Sequence, residues 1–209
     1  MSYKVLLLDI DAGNVFAIEN ILKKLNIDFI KSSHLHDLED SNNIILPGVG
    51  DFEEFMSRLN TANLIDPLRN FHELYPEKFL LGICIGMQIL GNKSEEGIGS
   101  GLGLIPGIVK KIEKQNNLKI PHMGWNSINK INNDLSILDG IDQKNGFYFL
   151  HSYYFDCNES DSCVANFHYG KEYPALIRKK NVFGVQGHPE KSHDNGIRFL
   201  HNFCNLRNA

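Results

Sequence analysis

The sequence has no long apolar run, no excess of positive charge and few cysteines. Its longest apolar stretch runs from Phe79 to Leu90 and contains Gln88, so it is too short and too polar to cross a bilayer. Lysine and arginine total 21 against 25 acidic residues, for a net charge of −4. This balance gives no electrostatic reason to expect nucleic acid or a membrane surface as a partner. With 42% hydrophobic residues over 209 positions, the chain has enough apolar side chains for a packed core.

The cysteine pattern argues against both a disulfide framework and a zinc site. The four cysteines form no Cys-x-x-Cys pair and lack zinc-ligand spacing; they are Cys84, Cys157, Cys163 and Cys204. His34 and His36 lie in a polar stretch that we interpret as a solvated loop rather than a metal site. We therefore predict no metal and no cofactor. The absence of a disulfide pattern indicates free thiols, which are typical of a reducing compartment, so we expect a cytoplasmic protein.

Short apolar runs alternate with segments of helical periodicity in the first half of the chain. Strands are predicted over residues 4–9, 29–32, 43–46 and 79–83, and helices over 15–25, 52–59 and 64–74. After a glycine-rich stretch at 97–107 come β-like runs at 108–112, 146–150, 153–155, 163–168, 175–179 and 182–186, and a last helix at 196–206. This order predicts an α/β fold with a mainly parallel central sheet, helices on both faces and an added β-rich segment. With no repeat or linker, we expect a single domain over residues 1–209.

A cysteine between two glycines ends the predicted strand 79–83, in the run Gly82-Ile83-Cys84-Ile85-Gly86. A nucleophile flanked by glycines at a strand-to-helix turn is typical of a nucleophile elbow. The glycines permit a tight turn, and the turn places Cys84 at a helix N-terminus, where backbone dipoles favour the thiolate. The Ile85 amide would then face an oxyanion forming on the substrate. The alternative is a buried structural cysteine in an apolar run.

His188 and Glu190 flank Pro189 near the end of the chain. In an extended segment, residues two apart point to the same side, so Glu190 would hold the His188 ring by a hydrogen bond. Pro189 favours an extended conformation at His188. Alone, such a pair is usually only a surface histidine beside an acid. Together with the elbow, it completes a Cys–His–Glu catalytic set.

The segment Pro47-Gly48-Val49-Gly50 directly follows the predicted strand 43–46. Glycines at the carboxyl end of a strand allow backbone N–H groups to form an anion-binding nest. We predict that Gly48, Val49 and Gly50 bind substrate. An ordinary β-turn is the alternative, and it is the better interpretation of this segment taken alone.

These three motifs, in this order and spacing, resemble the class I, triad-type glutamine amidotransferases over residues 5–206. In that family a cysteine attacks the side-chain amide of glutamine, a histidine moves the proton, ammonia leaves, and water hydrolyses the γ-glutamyl thioester. The resemblance implies a flavodoxin-like fold, glutamine as substrate, and Cys84 as nucleophile, His188 as base and Glu190 as orienting acid. It also implies substrate contacts by Gln88, Ser152 and Tyr153, in addition to those predicted for Gly48, Val49, Gly50 and Ile85.

Four further segments resemble one branch of that family, the glutaminase subunit of imidazole glycerol phosphate synthase. They are residues 9–14, 101–107, 147–153 and Pro121-His122-Met123-Gly124-Trp125-Asn126. The resemblance implies a heterodimer with a synthase (cyclase) subunit that forms imidazole glycerol phosphate and AICAR in histidine biosynthesis. The implied partner-facing residues are Asn14, His122, Met123, Gly124, Trp125, Asn126 and Lys191. The alternative for the Trp125 segment is a turn with one partly buried tryptophan.

Two positions depart from that branch: Ile10 replaces a tyrosine, and Gly187 replaces an aromatic residue. They leave open a related glutaminase subunit that supplies ammonia for bacterial surface-sugar biosynthesis. A non-catalytic binding module of the same fold conflicts with the complete Cys84, His188 and Glu190 set. A hydrolase of γ-glutamyl peptides would leave the Trp125 segment unexplained.

Overall fold

Strands and helices alternate along the first half of the chain, and strands dominate the second half. The computed structural model describes residues 4–114, 118–131 and 136–207. The strands are β1 (Val5–Leu8), β2 (Phe29–Ser32), β3 (Asn43–Gly48), β4 (Phe79–Cys84), β5 (Lys93–Ser94), β6 (Gly107–Lys111), β7 (His122–Asn126), β8 (Asn129–Lys130), β9 (Phe147–His151), β10 (Tyr153–Cys157), β11 (Cys163–Tyr169), β12 (Lys171–Lys179) and β13 (Val182–Val185). The α-helices are α1 (Val15–Lys24), α2 (Leu35–Glu39), α3 (Phe52–Thr61), α4 (Ile65–Arg69), α5 (Phe71–Leu74), α6 (Ile85–Gln88) and α7 (His193–Cys204). Short 3₁₀ helices are formed by Ser136–Leu138, Ser160–Ser162 and Pro189–Lys191.

An eight-stranded sheet forms the centre of the fold, in the order β2-β1-β3-β4-β13-β12-β11-β8. Neighbouring strands are parallel from β2 to β13 and antiparallel from β13 to β8. Two small sheets, β10-β6-β5 and β7-β9, are built from the second half of the chain. The predicted α/β fold, with a mainly parallel sheet and an added β-rich segment, is confirmed.

Side chains of the parallel strands alternate between two apolar cores, one on each face of the sheet. In β1, Val5 and Leu7 point into one core, whereas Leu6 and Leu8 point into the other. Residues of α1 and α7 pack in the first core, and residues of α3, α4 and α5 pack in the second. Because both faces are covered, these strands have continuous apolar sequences rather than alternating ones. No helix in the described ranges is long and apolar enough to cross a membrane.

Two predicted elements differ from the structure. The single helix predicted over 64–74 is two helices, because the backbone at Asn70 has φ −93° and ψ 17° and its side chain donates to the Asp66 carbonyl. The stretch that contains His34 and His36 includes helix α2 and is not a loop throughout. Nε2 of the exposed His36 lies 3.3 Å from Oδ2 of Asp40, one helical turn further along.

Candidate active site

The carboxyl ends of three adjacent parallel strands meet at one edge of the central sheet. β3 ends at Gly48, which is in register with Cys84 at the end of β4. On the other side of β4, β13 ends at Val185, shortly before His188. Ligands of parallel α/β folds bind at this edge. The sheet topology therefore brings the three predicted motifs together.

Cys84 lies on a strained turn between β4 and α6. Its backbone has φ 54° and ψ −108°, outside the conformations that residues with side chains prefer. The flanking glycines are required because the chain passes close to itself. A Cβ on Gly82 would lie 2.2 Å from the Gly86 carbonyl oxygen, and one on Gly86 would lie 2.1 Å from the Leu46 carbonyl oxygen. Ile85 begins α6, so its N–H is among the first of the helix, which have no acceptor within the helix.

His188 and Glu190 form a buried hydrogen-bonded pair. Nδ1 of His188 lies 2.9 Å from Oε1 of Glu190, and the two side chains are 3% and 2% exposed. The prediction of an extended segment is correct for His188 and wrong for Glu190, which lies in the 3₁₀ helix Pro189–Lys191. That turn brings the carboxylate back towards the ring. Because Nδ1 faces Glu190, Nε2 is the ring nitrogen available to exchange a proton with the Cys84 thiol.

Opposing effects decide the protonation of His188. Burial lowers the pKa of the imidazole. Hydrogen bonds to Cys84 and Glu190, together with the negative charges of both groups, raise the pKa by more than burial lowers it, so the net value is about 10. The imidazolium form is therefore favoured at neutral pH when it lies between a thiolate and a carboxylate. The arrangement suits a thiolate–imidazolium pair, which is the reactive form of a cysteine nucleophile.

The anion nest predicted at Val49 is not formed in this structure. The Val49 N–H donates to the Ala12 carbonyl oxygen at 2.9 Å. Ala12 follows β1, which flanks β3 on the side opposite to β4, so this N–H points away from Cys84. Gly50 has φ 102°, and a Cβ placed on it would have no neighbour within 4 Å. A glycine on each side of Val49 leaves its peptide groups free to rotate.

A cavity of about 330 Å³ opens beside Cys84 and His188. Most of the predicted substrate contacts line it: Val49, Gly50, Ile85, Gln88, Ser152 and Tyr153. Gly48 does not line this cavity, because the structure places it behind the elbow, and its predicted substrate contact stays a prediction. A Cβ on Gly48 would lie 2.6 Å from the Gly86 nitrogen, so the lack of a side chain there serves close packing.

Gln88 is buried and holds two parts of the cavity wall together. Its Nε2 lies 3.2 Å from both the Tyr153 carbonyl oxygen and Oε1 of Gln186. Nε2 of Gln186 in turn lies 3.8 Å from Sγ of Cys84. Oε1 of Gln88 has no hydrogen-bond partner within the part of the chain that the structure describes.

The sequence matches the family described as Glutamine amidotransferase class-I over residues 6–206. The chain belongs to this family. It is 41% identical to the imidazole glycerol phosphate synthase subunit HisH of Leptospira interrogans, with 96% of this chain and 98% of that one aligned. It is 40% identical to the subunit HisH 2 of Methanococcus maripaludis, with 95% and 98% aligned. The predicted resemblance is thereby confirmed.

Solved structures with low sequence identity share the fold. The structure of PurLQS from Thermotoga maritima has a TM-score of 0.71 at 18% identity, covering 98% of this chain and 99% of that one. A crystal structure described as glutamine amidotransferase has a TM-score of 0.69 at 19% identity, covering 97% and 99%. These similarities confirm the flavodoxin-like architecture of the class I glutamine amidotransferases.

One carboxylate of this class I glutamine amidotransferase site was not predicted from the sequence. Glu96 lines the cavity, and its Oε2 accepts a hydrogen bond from the Phe52 N–H at 3.1 Å. Burial raises the pKa of Glu96, the Phe52 N–H lowers it, and the charge of Asp51 raises it, so the net direction is upward. In the sequence, Glu96 is only one of two adjacent acids beside a glycine-rich stretch. Only the fold places it near Cys84.

All but one of the predicted partner-facing residues are at least partly exposed. Asn14 precedes α1 at the carboxyl end of β1, and Lys191 is exposed and lines the cavity. Met123 and Trp125 are 65% and 46% exposed. Because nearly half of the Trp125 side chain is exposed, it is not a core residue. Its ring stacks on His193, with ring centroids 5.2 Å apart.

His122 is the exception, because its side chain is only 3% exposed. Alternate residues of a strand point to opposite faces, so Met123 and Trp125 point outwards while His122 points inwards. Gly124 separates the two exposed residues and has φ 133°, a conformation that favours glycine. The half-buried Asn126 donates to the His168 carbonyl oxygen. The prediction that His122 faces a partner is therefore wrong.

Proposed function

We propose that this chain hydrolyses glutamine to glutamate and ammonia and is the glutaminase subunit of an imidazole glycerol phosphate synthase. The observation that carries the glutaminase activity is the strained Cys84 elbow beside the buried His188–Glu190 pair, at a cavity large enough for an amino acid. Relatives with the printed name subunit HisH, aligned over nearly their full length, support the synthase assignment. A single domain over residues 1–209 and a cytoplasmic location are parts of this proposal.

The proposed reaction has two steps. Sγ of Cys84 attacks the side-chain amide carbon of glutamine, and His188 gives a proton to the departing nitrogen, so ammonia leaves and a γ-glutamyl thioester remains. Water then attacks the thioester, His188 accepts its proton, and the C–S bond breaks to release glutamate and the thiolate. Glu190 orients the imidazole and stabilises its charged form in both steps.

The proposed oxyanion site is incomplete in this conformation. The Ile85 N–H at the start of α6 supplies one donor, whereas the Val49 N–H is bonded to Ala12. Rotation of the Gly48–Val49 peptide would turn the second donor towards Cys84, at the cost of one hydrogen bond of about 1 kcal/mol. We propose that the synthase subunit favours the rotated state.

We expect the isolated chain to be a poor glutaminase. Adding the synthase subunit with its nucleotide substrate should raise glutamine turnover by roughly a hundredfold, because one oxyanion donor is worth about that much. Steady-state assays of glutamate formation, with and without the partner, measure the effect. Equal turnover in both assays would contradict the proposed rotation.

The identity of the partner distinguishes a role in histidine biosynthesis from a role in bacterial surface-sugar biosynthesis. Affinity capture of the tagged chain from its native cell, followed by mass spectrometry, should recover a cyclase subunit. That complex should form imidazole glycerol phosphate with either glutamine or free ammonia as nitrogen source. Recovery of a surface-sugar amidotransferase instead would contradict the histidine-pathway assignment and leave the glutaminase proposal standing.

We propose that Glu96 binds the α-ammonium group of glutamine. Its carboxylate is held at the cavity by the Phe52 N–H, and a ligand cation would offset the cost of its burial. Glu96→Gln should raise the KM for glutamine about tenfold or more, because a charge-assisted hydrogen bond contributes about 1.5–3 kcal/mol. The control is Glu95→Gln, the same change at the adjacent acid, whose carboxylate accepts from the Lys111 N–H. Similar KM values for both variants would contradict this role.

Trp125 is the proposed centre of the partner interface. Its half-exposed ring lies on the strand that also carries the exposed Met123, and that strand pairs with β9, whose Leu150 and His151 line the cavity. Trp125→Ala should weaken the complex by about 2 kcal/mol or more, as expected for an interface aromatic residue. Glutamine-dependent synthesis should fall more than ammonia-dependent synthesis. Calorimetric titration and the two synthesis assays measure these effects.

A matched control for Trp125→Ala is Leu74→Ala. Leu74 is also half-exposed and apolar, but it ends α5, which precedes β4 and so lies near the opposite edge of the sheet. Leu74→Ala should leave partner affinity unchanged. If Trp125→Ala lowers the melting temperature but leaves the affinity of the folded fraction intact, the interface role is excluded.

A further inference from the structure

A chain of hydrogen bonds connects strand β7 to the cavity beside Cys84. Nδ2 of Asn126 lies 3.3 Å from Nε2 of His122, and Nδ1 of His122 lies 3.0 Å from Nε2 of His151. Nδ1 of His151 lies 2.7 Å from the Tyr153 carbonyl oxygen. The same oxygen accepts a hydrogen bond from Nε2 of Gln88. The chain of contacts therefore begins at the half-buried Asn126, the last residue of β7, and ends at a residue of the cavity wall.

The Tyr153 carbonyl oxygen determines which nitrogen carries the hydrogen in both rings, His151 and His122. A carbonyl oxygen only accepts, so Nδ1 of His151 carries the hydrogen and its Nε2 accepts. Nδ1 of His122 must then donate to that Nε2, and Nε2 of His122 accepts from Asn126. The orientation of the Asn126 amide is set independently, because Nδ2 also donates to the His168 carbonyl oxygen at 2.9 Å. Each ring nitrogen thus has one role.

The two rings are held neutral and in place by their surroundings. His122 stacks with Phe149 and Phe167, each at a centroid distance of 5.1 Å. Burial lowers the pKa of His122 to about 4. Burial lowers the pKa of His151 to about 3, against the opposing effect of the Tyr153 carbonyl. Neutral rings preserve the alternation of donors and acceptors.

We propose that His122 is a positioning residue for the glutamine site: acting through His151, it holds the Tyr153 carbonyl where that oxygen orients Gln88. His151 lines the cavity, whereas His122 lies one ring further from it. Without the His122 donor, Nε2 of His151 is a buried unpaired acceptor, and the ring loses one of the two hydrogen bonds that fix its orientation. A ring that is free to tilt no longer holds the Tyr153 carbonyl at its present position. This inference deepens the proposed glutaminase function and rests on it.

Two substitutions separate positioning from packing. His122→Phe keeps the aromatic stack and removes both nitrogens, whereas His122→Asn removes the stack and places an amide N–H donor at the position of Nδ1. Both are made in full-length protein carrying Cys84→Ala, so glutamine binding is measured by calorimetry without turnover. We expect His122→Phe to bind glutamine about tenfold more weakly, with a melting temperature lowered by only a few degrees because the aromatic stack is kept. We expect His122→Asn to bind within about threefold of the parent despite a lower melting temperature.

A purely structural role predicts the reverse order, in which His122→Asn loses more affinity than His122→Phe. That order, or unchanged binding by His122→Phe, would overturn the inference. The parent protein distinguishes this failure from failure of the proposed function. If the Cys84→Ala protein does not bind glutamine and the unmodified chain does not hydrolyse it, both proposals fall together.

The ring tautomers supply a measurement that needs no substitution at His122. In ¹⁵N-histidine-labelled protein at neutral pH, the nitrogen shifts should show Nδ1–H on both His122 and His151. An Nε2–H tautomer or a doubly protonated ring at His151 would contradict the chain of donors described above. This measurement tests the inference even if His122→Phe does not fold.

Discussion

Replacement of Cys84 by alanine is expected to abolish glutamine hydrolysis. Cys84 is the thiol on the strained elbow at the cavity, beside the His188–Glu190 pair. Loss of a covalent nucleophile typically lowers the turnover number by a factor of about a thousand or more. The fold should remain intact, because the substitution removes one atom and leaves the glycines that form the turn. Glutamate formation measures the activity, and circular dichroism measures the fold.

A second thiol provides the control for the Cys84 variant. Cys157 is half-buried outside the cavity, and burial, together with the charges of Cys163 and Asp156, raises its pKa to about 12. Cys157→Ala should therefore retain glutaminase activity. If the partner synthase uses free ammonia, its ammonia-dependent reaction should survive Cys84→Ala. Glutaminase activity of Cys84→Ala within about tenfold of the unmodified chain would refute the nucleophile assignment.

Replacement of His188 by alanine is expected to be nearly as damaging as loss of Cys84. His188 carries the proton in both steps, and its raised pKa favours the imidazolium that the departing ammonia requires. Glu190→Gln should have a smaller effect, a loss of roughly a hundredfold or more, because Glu190 orients and stabilises the ring without touching the substrate. Single-turnover measurements with saturating glutamine separate these losses from changes in binding.

The combined variants test whether the three residues act as one unit. Once Cys84 is absent, the proton carrier and its orienting acid have no nucleophile to serve, so further substitutions should add little. The double variant with Cys84→Ala and Glu190→Gln should therefore match Cys84→Ala alone. A loss equal to the product of the two single losses would indicate that Glu190 acts independently of Cys84.

The central strands and the elbow were predictable because their signals are local. A strand buried on both faces needs consecutive apolar residues, which β1, β3 and β4 have, and parallel strands need intervening helices. The elbow needs glycines two residues before and after Cys84, because a Cβ at Gly82 or Gly86 would lie 2.2 or 2.1 Å from a backbone carbonyl oxygen. The hydrogen bond between His188 and Glu190 was also predictable, since two residues so near in sequence can meet in several backbone conformations.

What depended on contacts between distant segments was decided only by the tertiary structure. The Val49 N–H faces Ala12 because β1 lies beside β3, and Gly48 serves packing because α6 passes directly over it. Glu96 reaches the cavity because α3 supplies the N–H that holds its carboxylate. The pairing of β7 with β9 turns His122 inwards, onto His151. The chemically reactive residues could thus be named from the sequence, whereas the orientation of the groups around them follows from pairings that no local pattern specifies.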